Sequence, residues 1–139
     1  MKKILNIAFL LIVSLVFSGC KPLQNSPDTV DIPVMKEDIG HYEAYSRERF
    51  VQLQEKERFA LFFHAPWCPT CRALEKNILA DLTVFNGHTM LKADYDNETE
   101  LKKEYDVIVQ TTVILFDEDG YVAHKKLNPS LAEIRSFFN

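Results

Sequence analysis

Cys68 and Cys71, two cysteines three positions apart, are the residues of this sequence that most directly suggest chemistry. They enclose Pro69 and Thr70 and directly follow Trp67. On the first turn of a helix, side chains at positions i and i+3 share one face, so two thiols there can form a disulfide without straining the chain. The spacing therefore predicts a pair of cysteines that can alternate between dithiol and disulfide.

The predicted start of a helix at Cys68 distinguishes the two thiols chemically. Free backbone N–H groups and the helix dipole favour a thiolate over a thiol at this position. Because Pro69 has no N–H, the amides of Thr70 and Cys71 are the expected donors to the Cys68 sulfur. We therefore predict that Cys68 is the nucleophile and that Cys71, one turn inward, is the resolving thiol.

Two other interpretations of the cysteine pair remain open. A closed structural zinc site needs four ligands, but there is no second cysteine pair, and the four histidines are scattered without ligand spacing. His64 with Cys68 and Cys71 could supply three ligands, although we expect no metal. A purely structural disulfide also fits an oxidising compartment. The position of Trp67 directly before the pair favours reactivity.

The elements that must position these cysteines alternate between strand and helix. The apolar run 59–63 predicts a strand buried on both faces, and the stripe through 72–78 predicts the helix that follows it. Further strands are predicted at 41–46, 89–95, 112–116 and 121–127, and further helices are predicted to begin at Ser46, Asn97 and 128–130. This order predicts an α/β fold with a central mixed β-sheet flanked by helices on both faces.

The N-terminal segment has a different character. Two lysines precede the apolar run 4–18, which is shorter than the ~20 residues of a membrane-spanning helix. A basic start, an apolar run and small residues predict a secretory signal peptide over 1–19. The motif Phe17-Ser18-Gly19-Cys20 resembles the lipobox of bacterial lipoproteins, which implies a lipidated Cys20 and cleavage before it. Ordinary signal cleavage and a retained anchor are the alternatives.

Length and composition limit what the rest of the chain can be. A chain of 139 residues has room for one compact core, which excludes two independent enzymatic domains. A net charge of −4 argues against a nucleic-acid partner, because such proteins neutralise phosphates with positive charge. Polar residues and three prolines over 21–40 predict an extended tether. We therefore divide the chain into a signal peptide (1–19), a lipid-anchored tether (20–40) and a domain (41–139).

The segment from Phe62 to Arg72 resembles the active-site segment of the thioredoxin family, and the resemblance covers about residues 41–139. Its Trp-Cys-Pro-Thr-Cys motif is most similar to that of membrane-tethered thioredoxin-like reductants, including those of cytochrome c maturation. The resemblance implies a thioredoxin fold, a mixed disulfide at Cys68 and its resolution by Cys71.

The resemblance also implies supporting roles around the cysteines. Trp67 would cover the disulfide as an apolar platform, while Pro69 and Thr70 would tune its potential. Lys92 would lie on the second core strand. The family's buried acid, the usual neighbour of that lysine, would fall at Phe62 and is therefore absent here.

A second departure from the family pattern is at Thr111, where the family has a cis-proline. A cis peptide costs about 2.5–4 kcal/mol before residues other than proline, so we predict a trans bond before Thr111. Its hydroxyl could bond the Cys68 sulfur or, with different geometry, admit an ion. We therefore expect substrate choice to depart from the family at this position.

Together these features predict a thiol–disulfide oxidoreductase without a cofactor, exported and lipid-anchored through Cys20 to a bacterial membrane, in the cell envelope. Its expected partners are proteins that contain disulfides or dithiols, and a membrane or periplasmic thiol donor that recycles it. Reduction of partners is the favoured direction, although small changes around the thiols could invert it. The alternative is a non-catalytic thioredoxin-like binding lipoprotein whose cysteine pair is structural or holds a metal.

Overall fold

The computed structural model describes residues 39–139. Its strands are His41–Ala44 (β1), Phe59–His64 (β2), Thr89–Asp94 (β3), Thr112–Phe116 (β4) and Val122–Leu127 (β5). Its α-helices are Arg47–Gln54 (α1), Pro69–Ala80 (α2), Thr99–Glu104 (α3) and Leu131–Phe138 (α4), with a 3-10 turn at Leu82–Phe85. Within this range, no helix is long and apolar enough to cross a membrane. The predicted signal peptide, Cys20 and the tether as far as residue 38 lie outside the described residues.

The five strands form one mixed sheet in the order β1-β3-β2-β4-β5. Strands β1, β3 and β2 are parallel, whereas β4 is antiparallel to both β2 and β5. The predicted edge strand near residue 41 is at the edge, and the turn at Asp117–Gly120 joins β4 to β5 as a hairpin. The predicted α/β class and mixed sheet are therefore confirmed.

Strand β2 is buried along its whole length because helices cover both faces of the sheet. Its side chains alternate between two apolar clusters, with Ala60 and Phe62 in one and Phe59, Leu61 and Phe63 in the other. Buried residues of α2 and α4 belong to the first cluster, and those of α1 and α3 belong to the second. This arrangement confirms the prediction of helices on both faces.

The register of β2 and β4 brings two distant segments to the same end of the sheet. Because the two strands are antiparallel, Phe63 near the end of β2 pairs with Thr112 at the start of β4. The chain leaves β2 at His64 and enters α2 four residues later, at the N-cap Cys68. The loop that precedes β4 therefore lies beside the beginning of α2.

The predicted helix cap at Asn97 is wrong, since α3 begins at Thr99 and Glu98 precedes it without a side-chain cap. The Asp94 carboxylate accepts hydrogen bonds from the backbone N–H groups of Asp96 and Asn97, at 2.9 and 3.3 Å. The Asn97 side chain donates to the same carboxylate at 2.8 Å. Asn97 is therefore part of an Asx-type turn at the end of β3 and does not cap the helix, which begins two residues later, at Thr99.

Candidate active site

The Cys68 thiol occupies the N-cap of α2, with its side chain turned into the protein. Its sulfur accepts a hydrogen bond from the Cys71 N–H at 3.3 Å, as expected for a thiol at a helix start. Thr70 reaches the same sulfur through its hydroxyl, at 3.0 Å. Pro69 begins the helix, where its missing N–H leaves no backbone donor unsatisfied.

Hydrogen bonds stabilise the charged form of Cys68 although only 2% of the residue is exposed. Burial by itself raises the pKa of the Cys68 thiol, but hydrogen bonds from Thr111, Thr70 and Cys71 outweigh it and lower the pKa to about 6. The group is therefore mainly a thiolate at neutral pH. This is the protonation state that a nucleophilic sulfur requires.

Cys71 has the opposite protonation state. It is fully buried one turn into α2, and this burial raises its pKa above that of an ordinary thiol. Both cysteines are free thiols in the structure. A thiolate therefore lies one helical turn from a protonated thiol, which is the asymmetry expected of an attacking and a resolving cysteine.

Thr111 contacts both sulfurs from the loop that precedes β4. Its hydroxyl oxygen lies 3.4 Å from Cys68 Sγ, the contact expected from the sequence, and 3.0 Å from Cys71 Sγ. The same oxygen lies 2.9 Å from the Thr70 hydroxyl. The contact with Cys71 was not foreseen, because the resemblance places this loop opposite the disulfide but does not show which sulfurs the Thr111 hydroxyl reaches.

The backbone conformation of Thr111 explains how a non-proline residue serves in this loop. No cis peptide bond is present in residues 39–139, so the predicted trans bond before Thr111 is confirmed. The residue instead has a φ of 63°, a left-handed conformation that is uncommon for a β-branched side chain. Its N–H donates to Phe63 O at 3.0 Å and its carbonyl accepts from the Asn128 N–H at 2.8 Å. These two bonds hold the strained residue in place.

Trp67 directly precedes Cys68 and lies at the surface, with 55% of it exposed. Its indole N–H donates to the Asp96 carboxylate at 2.9 Å, which fixes the ring to the turn after β3. An exposed, immobilised ring next to a buried thiolate offers an apolar surface to a docking partner. Its role as a cover for the disulfide stays a prediction.

Lys92 belongs to a polar cluster that the sequence analysis missed. Its ammonium donates to Glu75 Oε1 at 2.9 Å, and the Tyr42 hydroxyl donates to the same oxygen at 3.1 Å. Burial raises the pKa of Glu75, but the Lys92 hydrogen bond, the His64 charge and the Tyr42 hydrogen bond together leave it below its ordinary value. Glu75 is four residues after Cys71 on α2. Residues at this spacing lie on the same face of a helix, so the sequence could have indicated that Glu75 lies on the side of the cysteines.

His64 faces this cluster rather than the sulfurs. Its Nε2 lies 3.1 Å from Glu75 Oε2, yet it has no partner in hydrogen-bond geometry. Burial lowers the pKa of His64, so the imidazole loses its proton more readily than that of an ordinary histidine. Within residues 39–139, no three His, Cys, Asp or Glu side chains converge as ligands of a metal ion. His64 therefore does not join the two cysteines as a third ligand.

Comparison with known proteins places this geometry among thioredoxins. The family model described as Thioredoxin matches residues 42–139. A curated protein of Arabidopsis thaliana, protein disulfide isomerase-like 1-4, is 29% identical over 94 residues, which cover 66% of this chain but only 16% of that protein. The chain thus spans about a sixth of the length of this relative.

Solved thioredoxin structures have the same fold. Trxlp of Edwardsiella tarda has a TM-score of 0.61 at 23% identity, covering 70% of this chain and 97% of that one. The thioredoxin of Trypanosoma brucei brucei has a TM-score of 0.60 at 20% identity, covering 76% and 94%. At such identities the likeness establishes the fold.

We expect alkylation of Cys68 by iodoacetamide to follow the thiolate population, with a midpoint near the pKa of about 6. The rate should be close to its maximum at neutral pH and should fall as the pH drops through that value. Fragmentation mass spectrometry that assigns the label to Cys68 rather than to Cys71 on the same peptide measures the rate. The same protein in denaturant is the control and should show a midpoint near the ~8.5 of an ordinary cysteine. A midpoint near that value in the folded protein would contradict the predicted thiolate.

We expect Glu75→Gln to destabilise the protein by about 1–2 kcal/mol at neutral pH, because the carboxylate accepts charge-assisted hydrogen bonds at a largely buried site. Since folding lowers the pKa of Glu75, this difference should be fully present above the unfolded value of ~4.3 and should shrink as the pH falls through the native value. Urea unfolding at a series of pH values measures it.

The matched control for this measurement is the same substitution in a Lys92→Met background. Without the ammonium, the carboxylate loses its strongest partner, and both the destabilisation and its pH dependence should decrease. If the free energies of unfolding of the wild-type protein and Glu75→Gln differ by the same amount at acidic and neutral pH, the charge of the carboxylate does not contribute to stability at this site.

Proposed function

The chain belongs to the thioredoxin family of thiol–disulfide oxidoreductases, and on that premise we propose that it is a membrane-anchored reductant of protein disulfides outside the cytoplasm. The observation that carries the proposal is the pairing of Cys68, whose pKa falls to about 6, with Cys71, whose pKa is raised. One sulfur is ready to attack at neutral pH, and the other keeps its proton until the second step.

The proposed reaction has two exchange steps. The Cys68 thiolate attacks a partner disulfide, so a bond forms between Cys68 and one partner sulfur while the second partner sulfur leaves as a thiolate and takes up a proton. Cys71 then loses its proton and attacks Cys68 Sγ, which releases the first partner sulfur. The partner gains two electrons and two protons, and a Cys68–Cys71 disulfide remains. A separate thiol donor must reduce this disulfide for another cycle.

The pKa of the nucleophile supports the reducing direction. A strongly stabilised thiolate favours the dithiol form and makes a protein an oxidant, as in relatives whose cysteine has a pKa of ~3.5. The value of about 6 for Cys68 is nearer to the ~7 of thioredoxin. Disulfide-containing proteins are therefore the proposed substrates, and the name of the curated relative, a protein disulfide isomerase-like protein, agrees with a protein-disulfide substrate.

The proposed location rests on the N-terminal sequence. The basic and apolar segment 1–19 is typical of an export signal, and Cys20 follows it in a lipobox-like motif. Two or more acyl chains on Cys20 would anchor the protein stably, because a single chain binds membranes only marginally. The polar, proline-containing segment 21–40 would then hold the domain away from the bilayer.

We expect Cys68→Ser to reduce dithiothreitol-dependent reduction of insulin to the rate measured without protein. Cys71→Ser should retain the first step and accumulate a mixed disulfide with the substrate, visible as a mass increase that added reductant reverses. Thiol-dependent turnover that persists in Cys68→Ser would overturn the nucleophile assignment. Stoichiometric metal binding that requires both cysteines, without turnover, would favour the non-catalytic alternative.

A separate substitution tests the anchor. In a bacterial host, we expect Cys20→Ser to abolish metabolic labelling by palmitate and to release the protein from the membrane fraction. Insulin reduction by the purified variant should stay unchanged, since Cys20 is not one of the two redox cysteines. Unaltered membrane association of Cys20→Ser would contradict lipid anchoring at this residue.

A further inference from the structure

A continuous line of hydrogen-bond contacts joins the two sulfurs through two threonine hydroxyls. Cys71 Sγ lies 3.0 Å from Thr111 Oγ1, which lies 2.9 Å from Thr70 Oγ1. Thr70 Oγ1 in turn lies 3.0 Å from Cys68 Sγ. A hydroxyl can donate one hydrogen bond while it accepts another, so each threonine can receive a proton on one side and release one on the other.

We propose that Thr111 and Thr70 form a hydroxyl relay that carries the proton of Cys71 to the sulfur leaving Cys68 in the resolving step. This inference rests on the proposed function and adds two catalytic residues to it. In the reduced protein, the same line lets Cys71 donate to Thr111, Thr111 to Thr70, and Thr70 to the Cys68 thiolate.

The step balances without any further reactant. The S–H bond of Cys71 breaks as its proton passes to Thr111, while Thr111 passes its own proton to Thr70 and Thr70 passes one to the departing partner sulfur. The Cys71 sulfur forms a bond with Cys68 Sγ, and the bond between Cys68 and the partner breaks. Both hydroxyls end as they began, the partner leaves as a thiol, and the two cysteines are oxidised to a disulfide.

Burial makes such a relay useful. Cys68 and Thr111 are each 2% exposed and Cys71 is fully buried, so bulk water has little access to the proton of the resolving thiol. An alkyl thiol has a pKa of ~8.5, so its thiolate leaves more slowly than the thiolate of a more acidic thiol, and protonation during departure assists it. A hydroxyl between the two sulfurs couples the loss of one proton to the gain of the other.

The other polar side chains on this side of the sheet contact one another and not the sulfurs. Glu75 accepts hydrogen bonds from Lys92 and Tyr42, and His64 Nε2 faces the same carboxylate. None of these four side chains has a hydrogen bond to either sulfur, whereas Thr111 Oγ1 is within hydrogen-bond distance of both. The hydroxyls are thus the side-chain groups of the described domain that are placed to move this proton.

The variant that tests the relay is Thr111→Val, which removes the hydroxyl and keeps a β-branched side chain. The reduced full-length protein is rapidly mixed with the disulfide of an alkyl thiol or of a strongly acidic aromatic thiol, and quenched samples give the rate of mixed-disulfide resolution. An acidic thiol leaves without protonation, so only the alkyl thiol depends on the relay. We expect Thr111→Val to slow resolution of the alkyl mixed disulfide by at least ~10²-fold, with a much smaller effect on the aromatic one.

Three further variants show whether an effect of Thr111→Val comes from the loss of the relay. Thr111→Ser keeps the hydroxyl and should restore the wild-type ratio of the two rates, whereas Thr70→Val breaks the next link and should change the ratio as Thr111→Val does. Thr70 is exposed, so this second variant tests the relay even if Thr111→Val does not fold. Thr112→Val is the matched control, because the hydroxyl of Thr112 donates to Val109 O at 2.8 Å and has no contact with sulfur. It should leave the ratio unchanged.

The outcomes separate the relay from the function on which it rests. Equal slowing of both leaving groups in Thr111→Val and Thr70→Val would overturn the relay and leave the hydroxyls as stabilisers of the Cys68 thiolate. Failure of the wild-type protein to react with either disulfide would instead overturn the proposed function, and the relay with it.

Discussion

A sulfur that carries negative charge inside a protein must recover, from hydrogen bonds, the stabilisation that it loses with its water. Cys68 is in this situation, and its three donors come from two separate parts of the chain. Thr70 and the Cys71 amide belong to the helix that Cys68 begins, whereas Thr111 belongs to the loop before β4. The thiolate therefore has all three donors only while α2 and this loop remain in contact. The sheet keeps them in contact, since β2 leads into α2 and β4 pairs with β2.

The loop itself shows how this chain departs from its family. The family has a cis-proline at the position of Thr111, and proline has neither an N–H nor a side-chain hydroxyl to donate. Here a trans bond and a left-handed φ of 63° bring the chain into β4. The cost of that conformation is offset by hydrogen bonds to Phe63 and from Asn128, and the result is a hydroxyl placed between two sulfurs. The same residue thus tunes the nucleophile and contacts the resolving thiol.

The carboxylate near the site also comes from a different element than in the family pattern. Phe62, which occupies the position of the family's buried acid, is fully buried in the apolar cluster beneath α2. Glu75 reaches Lys92 from the helix instead, and Tyr42 on the edge strand completes the group. Lys92 therefore keeps an acidic partner although the strand position that normally supplies it is apolar. Neither sulfur is hydrogen-bonded to this group, which leaves proton movement at the cysteines to the threonines.

Local sequence determined the kind of chemistry, the order of the elements and the fold class, because these depend on neighbouring residues: a cysteine pair at helical spacing, a buried strand before it, and alternating strand and helix signals. Even locally, two hydrogen-bonding patterns can compete, as at Asn97, where the carboxylate of Asp94 forms a turn in place of the predicted cap. The thioredoxin resemblance also identified Thr111 as the residue facing the disulfide. Its contact with Cys71 and the meeting of Glu75 with Lys92 and His64 were decided only by the tertiary structure. These groups lie on different elements, and no local propensity encodes which rotamers meet once strand pairing and helix packing have brought those elements together.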